Sequence, residues 1–355
     1  MAALILPCCC TAQDVHFSQI QHTPLYTNPA FTGEFGGDMR FVANYRNQWQ
    51  SVPAPFNTAM FSADTKFQVK NSFSHFGGGI LVYSDKAGDL DFSTNSVQLS
   101  AAYNMYLGSS GRHDFYVYTG ARYGMTRRSF DISAARLENP GQETNWNTGV
   151  GYGDLSAGFA AVWVAPEFFL HGGFAVAHLN NPSVSFRNAQ AAEGNEDIRL
   201  EQTYTYHLAG NISLNRSKAA LMPAVQYLQQ GNRSNMVIGS ELLFRNLKQK
   251  QIEAAVDWGF GLYHRWEDAL ILTAKFRLAN QYNFGFSYDL PVSKINNPTG
   301  GYGAVEFFIS FTIPPKFKQG DYPRQGGGFV DLKCPSTGKR PGERNPWYRE
   351  NGVGY

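Results

Sequence analysis

The chain has 355 residues, 16% of them charged, and a formal net charge of +2 at pH 7. This near balance provides no basic patch for nucleic acid, and the charged fraction is well under the roughly 25% that is usual for soluble domains. Aromatic residues make up 15% of the chain, 36 residues are glycine, and the mean hydropathy is negative. Without an apolar run of about 18 residues, a helical membrane protein is not expected.

The first twelve residues resemble a shortened signal peptide. A small apolar stretch spans residues 2–7, and Thr11 and Ala12 precede Gln13 as small residues do at a cleavage site. The basic segment that usually comes first is missing, so either the start codon is placed too late or residues 1–12 are not a signal. A lipoprotein signal fits less well, because the residues before Cys8 are not small.

Residues 13–38 lack sustained alternation of polar and apolar side chains. They contain Pro24, Pro29 and Gly33, which interrupt regular strands. We therefore expect an N-terminal segment ahead of the first strand, which would be periplasmic or lumenal if the strands that follow close into an outer-membrane barrel.

Residues 41–50, with the sequence FVANYRNQWQ, separate into two faces when every second residue is taken. Tyr45 and Trp49 share one face with Phe41, whereas Arg46 and Gln48 lie on the other. This alternation predicts a β-strand. We expect Tyr45 and Trp49 near the lipid interface, and Arg46 and Gln48 inside a barrel.

The same period of two recurs along the chain and predicts an all-β fold, a transmembrane antiparallel β-barrel of about 14 strands over residues 39–313. A soluble sandwich would show similar alternation, but these segments reach the length of about 9 to 11 residues that tilted membrane strands need. The predicted strands are 39–50, 58–69, 77–85, 94–107, 115–128, 155–165, 168–179, 202–214, 218–228, 234–245, 251–263, 268–278, 281–290 and 302–313.

The predicted connections differ in length on the two sides of the barrel. The long gaps, 129–154, 180–201 and 291–301, all follow odd-numbered strands, and the turns after even-numbered strands are mostly short. Long external loops opposite short periplasmic turns are typical of outer-membrane barrels. An even strand count then places residues 314–355 in the periplasm, either as a disordered tail or as a docking segment carrying Trp347 and Tyr348.

Charges of both signs alternate with the apolar positions and would therefore line the lumen. Such an interior can pair into networks, be plugged, or form a simple porin lumen. For Arg46, the nearest candidate partner is Asp64 on the next strand. By the same face assignment, Phe284→Asp should disrupt assembly and Ser287→Asp should be tolerated. The predicted lumen charge network comprises Arg46, Asp64, Lys66, Arg122, Glu253 and Asp257.

No catalytic, cofactor-binding or metal-binding residues are predicted. The eight histidines are scattered, without the HExxH or G-x-S-x-G spacing of hydrolases. His171 and His207 fall on polar strand faces and are interpreted as lumenal hydrogen-bonding groups. Glycines such as those at 77–79 are interpreted as allowing curvature or making room for interior side chains. An enzyme is therefore not expected.

The amino-terminal part carries an ordered series of short motifs that resembles the opening of the PorP/SprF family, outer-membrane proteins associated with the type IX secretion system of Bacteroidetes. The resemblance covers roughly the first 70 residues, and beyond them only the barrel pattern and length agree. The motif residues are Phe17, Ser18, Gln19, Asn28, Pro29, Ala30, Tyr45, Arg46, Asn47, Gln48 and Trp49.

The resemblance implies a cell outer-membrane barrel that supports export or surface attachment of cargo proteins through protein–protein contacts. The implied partners are periplasmic ring or linker proteins of the secretion system, secreted adhesin-like cargo, or both, together with outer-membrane lipid; no nucleic acid is implied. Members act either in the core apparatus or with particular cargo, including an adhesin for gliding motility. The alternative function is a passive porin-like channel for small solutes.

Overall fold

The protein folds as a closed antiparallel β-barrel of 14 strands, seen in a computed structural model. Each strand pairs with its neighbours in the chain, and β1 closes the barrel against β14. The predicted fold class is thereby confirmed. The structure describes residues 14–48, 56–70, 72–88, 91–130, 148–186, 198–214, 219–244, 256–279, 281–292 and 303–314.

The strands follow the predicted segments closely. The largest difference is in β6, which begins at Gly149 rather than at residue 155. In order, β1 to β14 are Met39–Gln48, Phe56–Gln68, His75–Ala87, Phe92–Ser110, His113–Ser129, Gly149–Val164, Phe168–Ala177, Thr203–Leu214, Ala219–Gln230, Arg233–Phe244, Val256–Arg265, Ala269–Leu278, Tyr282–Pro291 and Ala304–Ile313.

The two faces of the strands meet different surroundings. In β1, Asn44 and Arg46 are buried inside the barrel, whereas Tyr45 is 46% exposed on the outer face. The outer face presents large apolar side chains, among them Leu99 and Phe260. Contact with lipid stabilises such a face, because the contact removes apolar surface from water. The predicted faces of Tyr45 and Arg46 are confirmed, and Trp49 lies outside the described residues.

Alternating strand directions give the barrel two distinct ends. The long-loop end carries the connections 49–55, 88–91, 130–148, 178–202, 231–232, 266–268 and 292–303. The short-turn end carries 69–74, 111–112, 165–167, 215–218, 245–255 and 279–281, and β1 begins and β14 ends there. In the described ranges, no helix has the length and apolar character to cross a membrane.

The described residues before β1 form three short turns of helix. These are a 3₁₀ turn at Ile20–His22, the α-helical turn α1 at Pro24–Thr27 and a second 3₁₀ turn at Pro29–Phe31. Each proline occupies the first helical position, where its missing N–H costs nothing. The Asn28 side chain caps the last turn by accepting a 2.9 Å hydrogen bond from the Ala30 N–H.

Candidate functional site

Residues 14–38, called here the lumenal segment, run through the inside of the barrel from one end to the other. At the long-loop end, Asp14 accepts a 2.7 Å hydrogen bond from Thr203, the first residue of β8. At the short-turn end, the N–H of Asp38 donates to the carbonyl of Ile313, the last residue of β14, at 2.9 Å. The segment therefore occupies the space that would otherwise be the channel.

Ser18 is bound by four charged side chains from β1, β11, β13 and β14. Its N–H donates to Glu306 at 2.6 Å, and its hydroxyl donates to Asp289 at 2.7 Å. The same hydroxyl accepts from Arg265 at 2.7 Å and from Arg46. Two cations and two anions balance in this Ser18 cluster, so each buried charge has a partner of opposite sign.

The predicted pairing of Arg46 with Asp64 is wrong. Arg46 pairs with Asp289 and Glu306, while Asp64 pairs with Arg40 at 2.7 Å. Arg40 lies directly opposite Asp64 in the β1–β2 register, whereas Arg46 lies opposite Glu306 in the β1–β14 register. Strand register therefore determines which charged side chains pair, and a short separation in the sequence does not identify the pairs.

Asp64 also holds the lumenal segment. It accepts the N–H of Gly33 at 2.9 Å, and Arg40 donates to the backbone carbonyls of Phe31 and Glu34. All of these groups are buried. A hydrogen bond to a charged group contributes roughly 1.5–3 kcal/mol, so this pair fixes the segment as well as the wall.

Asn28 and Pro29 lie against glycines of the wall. The Asn28 amide donates to the Phe159 carbonyl at 3.1 Å and contacts His207 Nε2 at 3.0 Å. A Cβ at Gly158 would lie 1.9 Å from Asn28 Oδ1, and a Cβ at Gly120 would lie 2.5 Å from the Pro29 carbonyl oxygen. Only glycine leaves room for the segment at these two positions.

Apolar side chains of the lumenal segment fill the remaining interior. Phe31 is fully buried and its ring packs edge-on against His171, with centroids 5.5 Å apart. Phe17 packs against Tyr26 and lies in a buried cluster with Leu81 on β3. The family motif residues from 17 to 30 are thus contacts between the segment and the barrel wall.

Four further motif residues, 45–48, lie on β1, and Trp49 lies outside the described residues. Tyr45 donates to Asn57 on β2 at 3.1 Å, and the side-chain amide of Asn47 donates to the same oxygen. Gln48 accepts a 3.4 Å hydrogen bond from Arg46. Six motif residues therefore lie in the lumenal segment, and four lie on the strand that follows it.

The predicted lumen charges form separate contacts rather than one network. Lys66 donates to the Phe35 carbonyl at 2.6 Å, and Arg122 donates to the Leu25 carbonyl at 2.5 Å. Asp257 accepts from Arg277 at 3.1 Å. Glu253 lies outside the described residues. Two of these three contacts again end on the lumenal segment.

Arg40, Arg265, Asp289 and Glu306 were not among the predicted network residues, although they make its strongest contacts. All four lie on inward-facing positions of their strands, so the alternation that identified Arg46 could also have identified them. Arg265, Asp289 and Glu306 share the partner Ser18, which carries no charge and gave no signal of that role.

His178 joins the start of the lumenal segment to the long-loop end. Its Nδ1 lies 2.8 Å from Asp154 and its Nε2 lies 2.8 Å from Asp14. Burial lowers the pKa of the imidazole, but the two carboxylates outweigh it and raise the pKa to about 10. His178 is therefore a cation at neutral pH, held between two anions.

A cavity of about 50 Å³ lies beside the lumenal segment, among residues that include Asp14, Tyr26 and Gln98. A water needs roughly 10–15 Å³ on this measure, so the cavity has room for only a few waters. In the described part of the chain, no three His, Cys, Asp or Glu side chains are grouped to hold a metal ion.

Ser287 shows that the lumen is packed rather than open. It is fully buried, and its β14 partner in the strand register is Glu306. A new carboxylate there would face an existing one without water to screen it. The packed lumen therefore argues against the expectation that Ser287→Asp is tolerated, and we expect the substitution to be destabilising.

The side chains of the barrel wall bind the backbone of the lumenal segment. Wall carboxylates accept backbone N–H groups of Ser18, Gln19 and Gly33, and wall cations bind carbonyls of the same segment.

One protein family matches most of the chain. The family model described as "Type IX secretion system membrane protein PorP/SprF" matches residues 10–311. None of the curated proteins matches the sequence.

Solved structures that resemble the fold are bacterial proteins of very low sequence identity. CdiB from Escherichia coli is 6% identical with a TM-score of 0.46, covering 76% of this chain and 62% of its own. The toluene transporter TodX from Pseudomonas putida is 7% identical with a TM-score of 0.43, covering 81% and 92%. The outer membrane protein Omp33 from Acinetobacter baumannii is 9% identical with a TM-score of 0.37, covering 79% and 100%. This chain thus spans less than two thirds of the CdiB chain.

Proposed function

Because the chain belongs to the PorP/SprF family of type IX secretion system membrane proteins, we propose that it supports export or surface attachment of cargo through protein–protein contacts. The protein is an outer-membrane β-barrel, with a closed wall of 14 strands and an apolar outer face. The observation that carries the proposal is the occupied lumen. A barrel filled by its own chain has its remaining surfaces, the two ends, available for partners.

The occupied lumen also favours the proposed secretion function over the alternative function as a passive porin. A porin lumen is polar and filled with water. Here Ser18, Asn28 and Phe31 are each fully buried in it. We therefore propose that solute conduction is not the main activity, and that ion conductance in planar bilayers is small and not ohmic.

The proposed partners are periplasmic ring or linker components of the secretion system and secreted adhesin-like cargo. Family membership supports the connection with secretion, and the choice between core apparatus and dedicated cargo, including a role in gliding, belongs to the proposal. Mild solubilisation of native membranes and affinity purification of the barrel decide between these partners. Recovery of a periplasmic ring protein favours the core role, and recovery of one secreted adhesin favours the dedicated role.

We also propose that the protein is not an enzyme. The buried histidines in the described lumen pack against rings or bind structural groups: His22 stacks on Phe308 at 3.7 Å, and His207 contacts Asn28. None is paired with a serine or cysteine nucleophile in these contacts.

The test is an in-frame deletion complemented with the wild-type gene or with a gene encoding Glu306→Gln. We expect the deletion to abolish export or surface retention of at least one type IX cargo, and the wild-type gene to restore it. Glu267→Gln, at an exposed position of the long-loop end, is the matched control and should restore it as well. Normal export and retention of all cargo in the deletion strain would refute the proposal.

A further inference from the structure

The direction in which the lumenal segment runs is fixed by its contacts. Asp14 contacts Thr203 and His178, which lie at the long-loop end where β8 begins and β7 has ended. Ser18 is bound by Arg265, the last residue of β11, which ends at the same side. The first described residues are therefore at the long-loop end.

The later residues of the segment lie progressively nearer the opposite end. Thr32 and Gly33 approach Gly77, two residues after β3 begins at the short-turn end. Asp38 then bonds to Ile313, where β14 ends, and Met39 starts β1 in the reverse direction. The chain thus crosses the barrel once inside the lumen and again as β1.

A membrane orientation follows from the connections. In outer-membrane barrels the short turns lie in the periplasm and the longer loops lie outside. The connections 130–148, 178–202 and 292–303 are all at the end where Asp14 lies. Ile313 is at the other end, with the short turns 111–112 and 165–167.

We infer that the lumenal segment enters the barrel from the cell exterior, so that Asp14 and Ile313 lie at opposite faces of the outer membrane. An ordinary barrel with an even strand number and an empty or separately plugged lumen has both chain ends on the periplasmic side. Here Met39 and Ile313 both lie at the periplasmic end, as an even number of strands predicts. The segment before Met39, however, comes from the exterior end of the barrel.

The segment connects separate parts of the wall. Ser18 bonds to β1 and β14, which form the seam that closes the barrel, and Asn28 bonds to β6 on another part of the wall.

The experiment places one short epitope at three positions in the full chain, expressed in its own host. The epitope is inserted directly before Asp14, within 293–300 at the long-loop end, or after Lys70 at the short-turn end. Antibody, which does not cross the outer membrane, is applied to intact and to permeabilised cells. Denatured samples verify that each epitope is retained, and heat-dependent mobility verifies that each barrel is folded.

We expect the first two epitopes to bind antibody on intact cells, and the epitope after Lys70 to bind only after permeabilisation. Binding before Asp14 that requires permeabilisation, as at Lys70, would overturn the threading. Binding within 293–300 only after permeabilisation would overturn the orientation. If maturation removes the first epitope, Gln13→Cys, which keeps the Asp14 carboxylate, is labelled with an impermeant maleimide and mapped by mass spectrometry, and its labelling on intact or only on permeabilised cells decides the side in the same way.

Cargo export is measured in the same strains, so that the two hypotheses can fail separately. A periplasmic Asp14 with export still dependent on the gene refutes the threading alone. An exterior Asp14 with export independent of the gene refutes the proposed function and leaves the threading supported.

Discussion

Two adjacent glycines of β3 make the fit between the lumenal segment and the wall measurable. A Cβ added at Gly77 would lie 2.0 Å from the carbonyl oxygen of Thr32 and 2.9 Å from the nitrogen of Gly33. A Cβ added at Gly78 would lie 3.6 Å from the Phe67 ring, which is an ordinary contact. Gly77→Ala should therefore displace the segment, and Gly78→Ala should not.

The size of the effect follows from what must move. The atoms facing Gly77 are backbone, so the segment has to shift by roughly 1 Å or more to reach a normal contact distance. Overpacking of this kind costs about 1–3 kcal/mol. The shift also weakens the 2.9 Å bond from Gly33 to Asp64, which contributes roughly 1.5–3 kcal/mol. We expect Gly77→Ala to lower the free energy of unfolding by about 3–5 kcal/mol.

The assay is urea unfolding of the purified barrel in lipid vesicles, followed by tryptophan fluorescence. Gly78→Ala should be neutral or stabilising by up to about 1 kcal/mol, because alanine loses less backbone freedom than glycine on folding. Planar-bilayer conductance of the same two variants should rise only for Gly77→Ala. Equal stability and equal conductance of the two variants would refute the assigned contact between Gly77 and the segment.

Three further predictions concern single side chains. Glu306→Gln should destabilise the barrel by about 3–5 kcal/mol in urea unfolding, since it leaves buried cations short of an anion, whereas exposed Glu267→Gln should change it by under about 0.5 kcal/mol. Phe284→Asp and Ser287→Asp should both reduce the folded fraction, measured as the mobility of unheated samples on gels. Phe284→Asp places a charge in lipid, which costs about 2 kcal/mol or more, and Ser287→Asp packs a carboxylate against Glu306. A fully folded Ser287→Asp barrel would show that the lumen there is open. The pKa of His178 in the folded protein is raised to about 10, so its contribution to the free energy of unfolding is complete below about pH 6.5 and is lost as pH rises through 10. His178→Gln should not show this loss. If the free energy of unfolding depends on pH in the same way in both proteins, the assigned contacts are contradicted.

The barrel could be predicted from the sequence because its signal is local. In β1, the alternation of Tyr45 with Arg46 is set by the period of the strand, and the structure places these two side chains on the expected faces. Closure followed from the need to satisfy every backbone group in lipid. The early start of β6 at Gly149 was missed because glycines near its beginning weaken the alternation.

The contacts inside the barrel could not be predicted in the same way. The partner of Arg46 depends on the register between β1 and β14, in which Arg46 and Glu306 are 260 residues apart. The lumenal segment lacks periodicity, so nothing local indicated that Ser18 and Asn28 bind the wall. The family resemblance identified these residues as a group, and the structure shows the contacts that they share.

Hydrogen exchange of the purified, membrane-embedded protein tests the occupied lumen most directly. The backbone N–H groups of Ser18, Gln19, Ala30 and Gly33 donate to Glu306, Asn28 and Asp64 inside the barrel. The account predicts that peptides from residues 14–38 exchange as slowly as the strands of the wall. Exchange at the rate of an unstructured peptide would show that the lumen is not held by this segment and would contradict the account.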